Sequence, residues 1–327
     1  MKISFTVCSA NYLPYAKSVG DSLIRFNPDH QFIIVLLDRR PEKDLLFFAP
    51  HQIIAAEDMQ LPYLAEMNER YTIFELSCAL KPFAADHIFT NFSACDELYY
   101  FDSDILVYGK MHAASKLLND HPLVLTPHLA TAKQFEGRAQ ADLDNLHTGI
   151  YNAGFFGLRR HEESHKFLQW WMERMRLYCY NDAVHGLFVD QLWLSLAPNI
   201  FTHTAILREE GYNMAYWNFA ERSLRMHNDS YLVNDQPLVF FHFSGYDIEQ
   251  ANILSKHAAK FTFENSPEFI PLFNDYRNAA IANNRDDYFT LLPFFGKKPA
   301  PLVPATGPAP REKNFFKRKS RKWFGKI

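Results

Sequence analysis

Residues 98–107 read Leu-Tyr-Tyr-Phe-Asp-Ser-Asp-Ile-Leu-Val, an apolar run broken by two carboxylates one residue apart. Burying Asp102 and Asp104 among such neighbours is costly unless a compensating charge meets them. At the C-terminal end of a strand, both side chains leave the sheet together and face the crevice where open α/β sheets bind ligands. Two hard oxygen donors there suit Mg2+ or Mn2+ carrying a substrate diphosphate. Taken alone, Asp102-Ser103-Asp104 is more often an ordinary polar turn. His242, in Val-Phe-Phe-His-Phe-Ser-Gly-Tyr, also closes an apolar strand, which would bring it to the same sheet edge. An imidazole beside two carboxylates favours Mn2+. The plainer alternative is a core histidine bonded to a backbone carbonyl.

Three further constellations carry polar chemistry. In Thr148-Gly149-Ile150-Tyr151-Asn152-Ala153-Gly154 the glycines permit close approach to a ligand, and Asn152 can donate to and accept from sugar hydroxyls. A bulged strand explains the same residues. Asp190-Gln191 opens a helix; a carboxylate–amide pair at that position suits gripping a hexose, while capping accounts for Asp190 without function. Asn213 lies in Gly-Tyr-Asn-Met-Ala-Tyr-Trp-Asn, either a rigid loop or a sugar platform. Lys81 precedes the aspartates within reach of a diphosphate, although a solvated helix lysine is the default.

The elements that must position these residues alternate. Strands are expected at 2–8, 32–37, 53–55, 97–101, 123–126 and 238–242, with helices at 13–26, 71–90, 162–180 and 189–196. Alternation over the first hundred residues predicts an α/β protein with a mostly parallel sheet flanked by helices. No glycine-rich phosphate loop comes after the first strand. A hydrophobic content of 48% with thirty Phe and sixteen Tyr is ample for a core. The four cysteines have no metal-finger spacing and fit a reducing cytoplasm. The N-terminus lacks a signal-peptide core, and no apolar run reaches the ~20 residues of a spanning helix.

The order of motifs, across roughly residues 3–247, resembles the retaining GT-A glycosyltransferases of family eight and their close bacterial relatives. Tyr-Phe-Asp-Ser-Asp-Ile, Tyr-Asn-Ala-Gly-Phe, Asp-Gln, Gly-Tyr-Asn and His-Phe-Ser-Gly succeed one another as they do there. The resemblance implies that Asp102, Asp104 and His242 hold Mn2+ or Mg2+ against the diphosphate of a nucleotide sugar, most simply a UDP-sugar. It implies that Cys8, Ala10, Asn11 and Tyr12 contact base and ribose. Lys81, Ser103, Asn213 and Gly245 join the donor-binding set, and Asn152, Asp190 and Gln191 fall at the transferred sugar and reaction centre. It further implies a hexose transferred with retention, with Asp190 orienting the donor or stabilising an oxocarbenium-like centre. In the family the His-x-x-Gly motif continues to Lys-Pro-Trp, whereas Gly245 is succeeded by Tyr246-Asp247-Ile248 here. Lys81 or Arg208 is left to neutralise the leaving diphosphate.

Two alternatives share parts of this pattern. A sugar-nucleotide pyrophosphorylase uses a similar sheet and metal, but Cys8 to Pro14 lacks its glycine-rich loop. A non-catalytic carbohydrate-binding protein would use the Tyr, Trp and Asn clusters alone. The expected organisation is a catalytic domain at 1–292, with a nucleotide-sugar and metal half at 1–110 and a sugar and acceptor half at 111–292. A Pro-rich linker at 293–310 and a basic, aromatic tail at 311–327 complete it. The tail carries a local balance of +7, leaving −10 for the rest of a chain whose net charge is −3, so nucleic acid is not the expected partner. Phe316, Trp323 and Ile327 would share a helical face ringed by Lys and Arg, suited to an anionic membrane surface. That implies a peripheral location on the inner face of the plasma membrane and a glycan or lipid-linked acceptor. Deleting residues 311–327 is expected to move the protein from membrane to soluble fraction on centrifugation, with donor hydrolysis intact.

Overall fold

Runs of Ile, Val, Phe and Tyr without a polar face form strands buried on both sides, as a helix-covered parallel sheet requires. Such runs make β1 (Lys2–Cys8), β2 (His30–Leu36), β3 (Gln52–Ala55) and β4 (Glu97–Phe101). β2 pairs parallel with β1 and β3, and β1 pairs parallel with β4. The chain then continues through β5 (Ile105–Val107), β6 (Leu123–Pro127), β7 (Tyr151–Arg159), β8 (Thr204–Ile206) and β9 (Phe240–His242). The seven-stranded sheet has the order β8-β6-β7-β4-β1-β2-β3, and only β7 runs antiparallel to its neighbours. The architecture is the mostly parallel, helix-flanked α/β sheet that the sequence predicts. The computed structural model describes residues 1–40, 45–61, 63–250 and 252–297.

The helices that matter here are α1 (Leu13–Phe26), α2 (Ile73–Asn91), α3 (Glu162–Tyr178), α4 (Gln191–Leu194) and α5 (Ile270–Ala282). Because strand side chains alternate, Leu98 and Tyr100 of β4 join the core under α2 and α3, while Tyr99 and Phe101 join the core under α1. Trp171 of α3 is fully buried, its ring 5.3 Å from those of Phe156 and Phe167. α2 begins at Ile73 because Thr72 and Glu75 form a reciprocal capping box. The helix expected over 189–196 is only the short α4.

A two-stranded ribbon brings the far end of the chain to the aspartates. β9 pairs antiparallel with β5, placing His242 opposite Ile105. The Phe243 N–H then donates to the Asp104 carbonyl at 2.8 Å, and the Asp102 N–H donates to the Gly154 carbonyl at 2.8 Å.

The packed body extends past residue 292. The Phe294 N–H donates to Asp38 Oδ1 at 2.9 Å, and the Gly296 N–H to Asn68 Oδ1 at 2.6 Å. Phe295 packs on the core under α2. Residues 293–297, expected as linker, therefore belong to the body: their amides find acceptors and their aromatics find apolar surface. The rest of the linker and the tail at 311–327 lie outside the described residues. Among the described residues, no helix is long and apolar enough to cross a membrane.

Candidate metal and sugar-binding site

The strand ends converge on one cluster. His242 Nε2 lies 3.0 Å from Asp104 Oδ1 and 3.8 Å from Asp102 Oδ2. One ligand atom from each of the three residues falls within 4.8 Å of the others. The other oxygen of Asp102 is already committed, accepting from the Tyr100 hydroxyl at 2.6 Å and facing Lys81 Nζ at 3.0 Å. That leaves Oδ2 aimed at the imidazole. Two carboxylate oxygens and a ring nitrogen, gathered this closely, fit Mn2+ or Mg2+ in donor type. Burial opposes charge on both Asp104 and His242, and their mutual attraction outweighs it: the carboxyl is held below its ordinary range and the imidazole above. Gly154 makes the approach sterically feasible, since a Cβ there would sit 2.4 Å from His242 Cε1.

Lys81 is the second centre. It lies on the inward side of α2 with Cys78 and Ala85 and is 3% exposed, so the solvated-lysine alternative does not apply. Its Nζ is 2.8 Å from Asp190 Oδ2 and donates to the Ala153 carbonyl at 3.1 Å. The ammonium thus bridges Asp102 and Asp190. Asp190 is 2% exposed and makes no capping bond to α4, so its side chain serves the cluster rather than the helix. Burial pushes its carboxyl up, and Lys81 opposes the shift. Val189, just before it, has φ of 37°, a region β-branched residues rarely adopt. The Val189 N–H donates to Tyr180 O at 2.9 Å and Trp171 Nε1–H to Asp190 O at 3.3 Å, fixing this backbone.

Beside these charges lies a neutral amide network. Asn152 Nδ2 donates to Gln191 Oε1 at 3.0 Å, and Gln191 Nε2 donates to Thr148 O at 2.9 Å. Asn152 Oδ1 accepts from the Gly154 N–H at 3.1 Å and from Asn213 Nδ2 at 3.0 Å. Asn213 also donates to Thr126 Oγ1 at 2.9 Å, while its own Oδ1 is buried without a protein partner. Trp217 Nε1 and His242 Nδ1 are buried and unpartnered as well, which leaves hydrogen-bonding capacity for a polar ligand. His128 completes the group, 3.4 Å from Asn152 Nδ2 and with its ring 5.1 Å from that of Trp217. Sequence reasoning overlooks His128 and Thr126, yet both stand at the end of β6, the same strand-end position that singles out Asp102 and His242.

The loop after β1 is only partly as expected. Tyr12 is 44% exposed, with its ring 5.4 Å from that of Tyr15. Asn11 Oδ1 accepts from the Ser9 hydroxyl at 2.6 Å, and the Ala10 N–H donates to Asp38 Oδ2 at 3.3 Å. Cys8 is different: its side chain packs in the apolar core under α1, and its carbonyl accepts from the Leu37 N–H at 2.7 Å. Neither group is free to meet a ligand, because Cys8 is the last residue of a strand covered on both faces. Ser103 is partly exposed between the aspartates, and Gly245 has φ of 73° in the turn after His242. Arg208 is exposed and donates to the Ile206 carbonyl at 3.4 Å.

No protein-family model matches the chain. YfnF, an uncharacterized protein of Bacillus subtilis (strain 168), is 25% identical over 252 residues, covering 76% of this chain and 82% of its own. YfnD, another uncharacterized protein of the same strain, is 21% identical over 251 residues, covering 74% and 77%. Among solved structures, the galactosyltransferase LgtC in complex with donor and acceptor sugar analogs aligns with a TM-score of 0.49 at 14% identity. The alignment covers 90% of this chain and 98% of that one.

The ion cluster makes a prediction about stability. Replacing Lys81 with Met leaves Asp190 buried without its counter-ion, which costs ~3–5 kcal/mol. The urea midpoint should fall accordingly, and adding Asp190→Asn to Lys81→Met should recover part of the loss. A double variant no more stable than the single one would disprove the coupling.

Proposed function

We propose that this protein is a metal-dependent glycosyltransferase of the GT-A type, which moves a hexose from a nucleotide sugar to a glycan or lipid-linked acceptor with retention. The observation that carries the reading is the meeting of Asp102, Asp104 and His242 beside Lys81–Asp190 and the Asn152–Gln191–Asn213 network. A nucleotide sugar has one anionic end and one neutral, hydroxyl-rich end, and the site is divided in the same way.

When bound, a divalent ion held by Asp102, Asp104 and His242 would offset the charge that develops on the departing diphosphate. The protein's own groups do the rest. Lys81 bridges Asp102 and Asp190 and fixes the Asp102 carboxylate so that one oxygen faces the crevice. Asn152, Gln191 and Asn213 hold one another rigid, so hydroxyls of the sugar meet preorganised amides. Asp190, held at Lys81 by strained backbone, orients the donor and offers negative charge to a cationic anomeric centre. Tyr12 is exposed where a base could stack. Front-side attack with the departing phosphate as base needs no enzyme nucleophile, and Asp190 stays paired with Lys81. The UDP-sugar preference and the inner-membrane location rest on the sequence resemblance and on the tail.

Incubation with a panel of nucleotide sugars and Mn2+ should release free nucleoside diphosphate. Asp104→Ala should lower that release by more than about a hundredfold, with its melting temperature close to wild type. Wild-type turnover by Asp104→Ala would remove the metal from the account. Pyrophosphate-dependent nucleotide synthesis would point to a pyrophosphorylase, and neither reaction to a binding protein.

A further inference from the structure

A histidine that holds a metal ordinarily keeps its ring aligned by donating its second nitrogen to a carboxylate, a carbonyl or water. His242 has no such bond among the described residues. Its Nε2 faces Asp104 and Asp102, while Nδ1 is buried without a protein partner. The ring is confined all the same. It lies against Gly154, where a Cβ would stand 2.8 Å from Nδ1. On another side it meets the indole of Trp217, with ring centroids 5.2 Å apart and planes at 88°. The backbone ties the same two segments together, since the His242 N–H donates to the Met214 carbonyl at 2.9 Å.

The indole is itself held from several directions. Trp217 sits in a short turn, Tyr216–Asn218, which the fully buried Asn218 closes. Asn218 Oδ1 accepts from the Ala215 N–H at 3.1 Å, and its Nδ2 donates to the Asn213 carbonyl at 3.0 Å. The Tyr216 ring stands 5.1 Å from the indole, and the His128 ring also 5.1 Å, at 75°. His128 is anchored in turn, its Nδ1 3.2 Å from the Ile150 carbonyl and its Nε2 3.4 Å from Asn152 Nδ2. One indole therefore touches the imidazole of the ion cluster and the imidazole of the amide network. Its Nε1 meets no acceptor among the described residues, so what it gives the two histidines is its ring and not a hydrogen bond.

We propose that Trp217 is a positioning residue for the cation site. Its ring takes the place of the hydrogen bond that would otherwise orient His242, and its contact with His128 links that alignment to the sugar end. The inference rests on the Asp102–Asp104–His242 cluster being a cation site.

Mn2+ titrated into the full chain, with free ion counted by its paramagnetic resonance signal, tests this without any turnover. The wild type should take up Mn2+ that Asp104→Ala does not. Trp217→Ala should weaken this uptake by about tenfold or more, the scale for losing a group that orients a metal-bound histidine. Trp217→Phe, which keeps a ring and loses the N–H, should recover most of the affinity. If Trp217→Ala no longer melts cooperatively, Trp217→Leu, which keeps bulk without a ring, takes its place. Wild-type affinity in the ringless variant, or an equal loss in Trp217→Phe, overturns the inference while leaving the cation site standing. If the wild type shows no Asp104-dependent uptake, the cation reading fails and the inference fails with it.

Discussion

A buried ammonium holds this structure's polar centre together. Lys81 sits in a place where an isolated charge would cost many kcal/mol, and it persists because two carboxylates and a carbonyl surround it. The dependence is mutual, since Asp190 is no better solvated than the lysine. Removing water from the three groups makes their separations matter, because attraction in a poorly polarisable interior is steep with distance. The neighbouring elements are correspondingly fixed: α2 is capped on entry by Thr72 and Glu75, and Asp190 is held by bonds from Trp171 and at Val189.

Around this centre the site separates by polarity. Lys81, Asp190 and the groups at the ends of β4 and β9 carry the charge, whereas the amides of Asn152, Gln191 and Asn213 and the His128 imidazole lie at the start of β7, in α4, in the loop after β8 and beyond the end of β6. The division comes from the sheet. β7 is antiparallel between β4 and β6, so the start of β7, bearing Asn152, lies at the same edge as the ends of its two neighbours. One reversed strand thus brings a neutral side chain into a row otherwise made of strand termini.

Much of this was legible in the sequence. β1 and β4 stand out because their apolar runs end at polar residues, and Asp102, Asp104 and His242 are the polar residues at the close of such runs. The burial of Lys81 was not legible: α2 has buried residues at nearly every position from Cys78 to Ala85, so no polar face marks which side turns inward. The pairing of Asp190 with Lys81 was hidden for a related reason, since an acidic residue at a helix entrance looks like a cap until the cap bond is found missing. Cys8 misled because motif position describes the backbone path, while the period of two along β1 turns its side chain into the core. His128 carries only the signal of its place after Pro127, too slight to separate it from thirteen other histidines. The packing of Phe294 to Lys297 depends on acceptors at Asp38, Asn68 and Tyr71, which local composition does not reveal.

The ribbon of β5 and β9 has a consequence for how the molecule forms. It is only three residues wide, and its two strands come from opposite halves of the chain. No short fragment can therefore preassemble the Asp102–Asp104–His242 cluster. Closing so long a loop for so few ladder bonds is entropically unfavourable until the large sheet already stands. The cluster thus comes together only with completion of the whole body, and a nascent chain that has emerged only through Asp104 carries two of its three members.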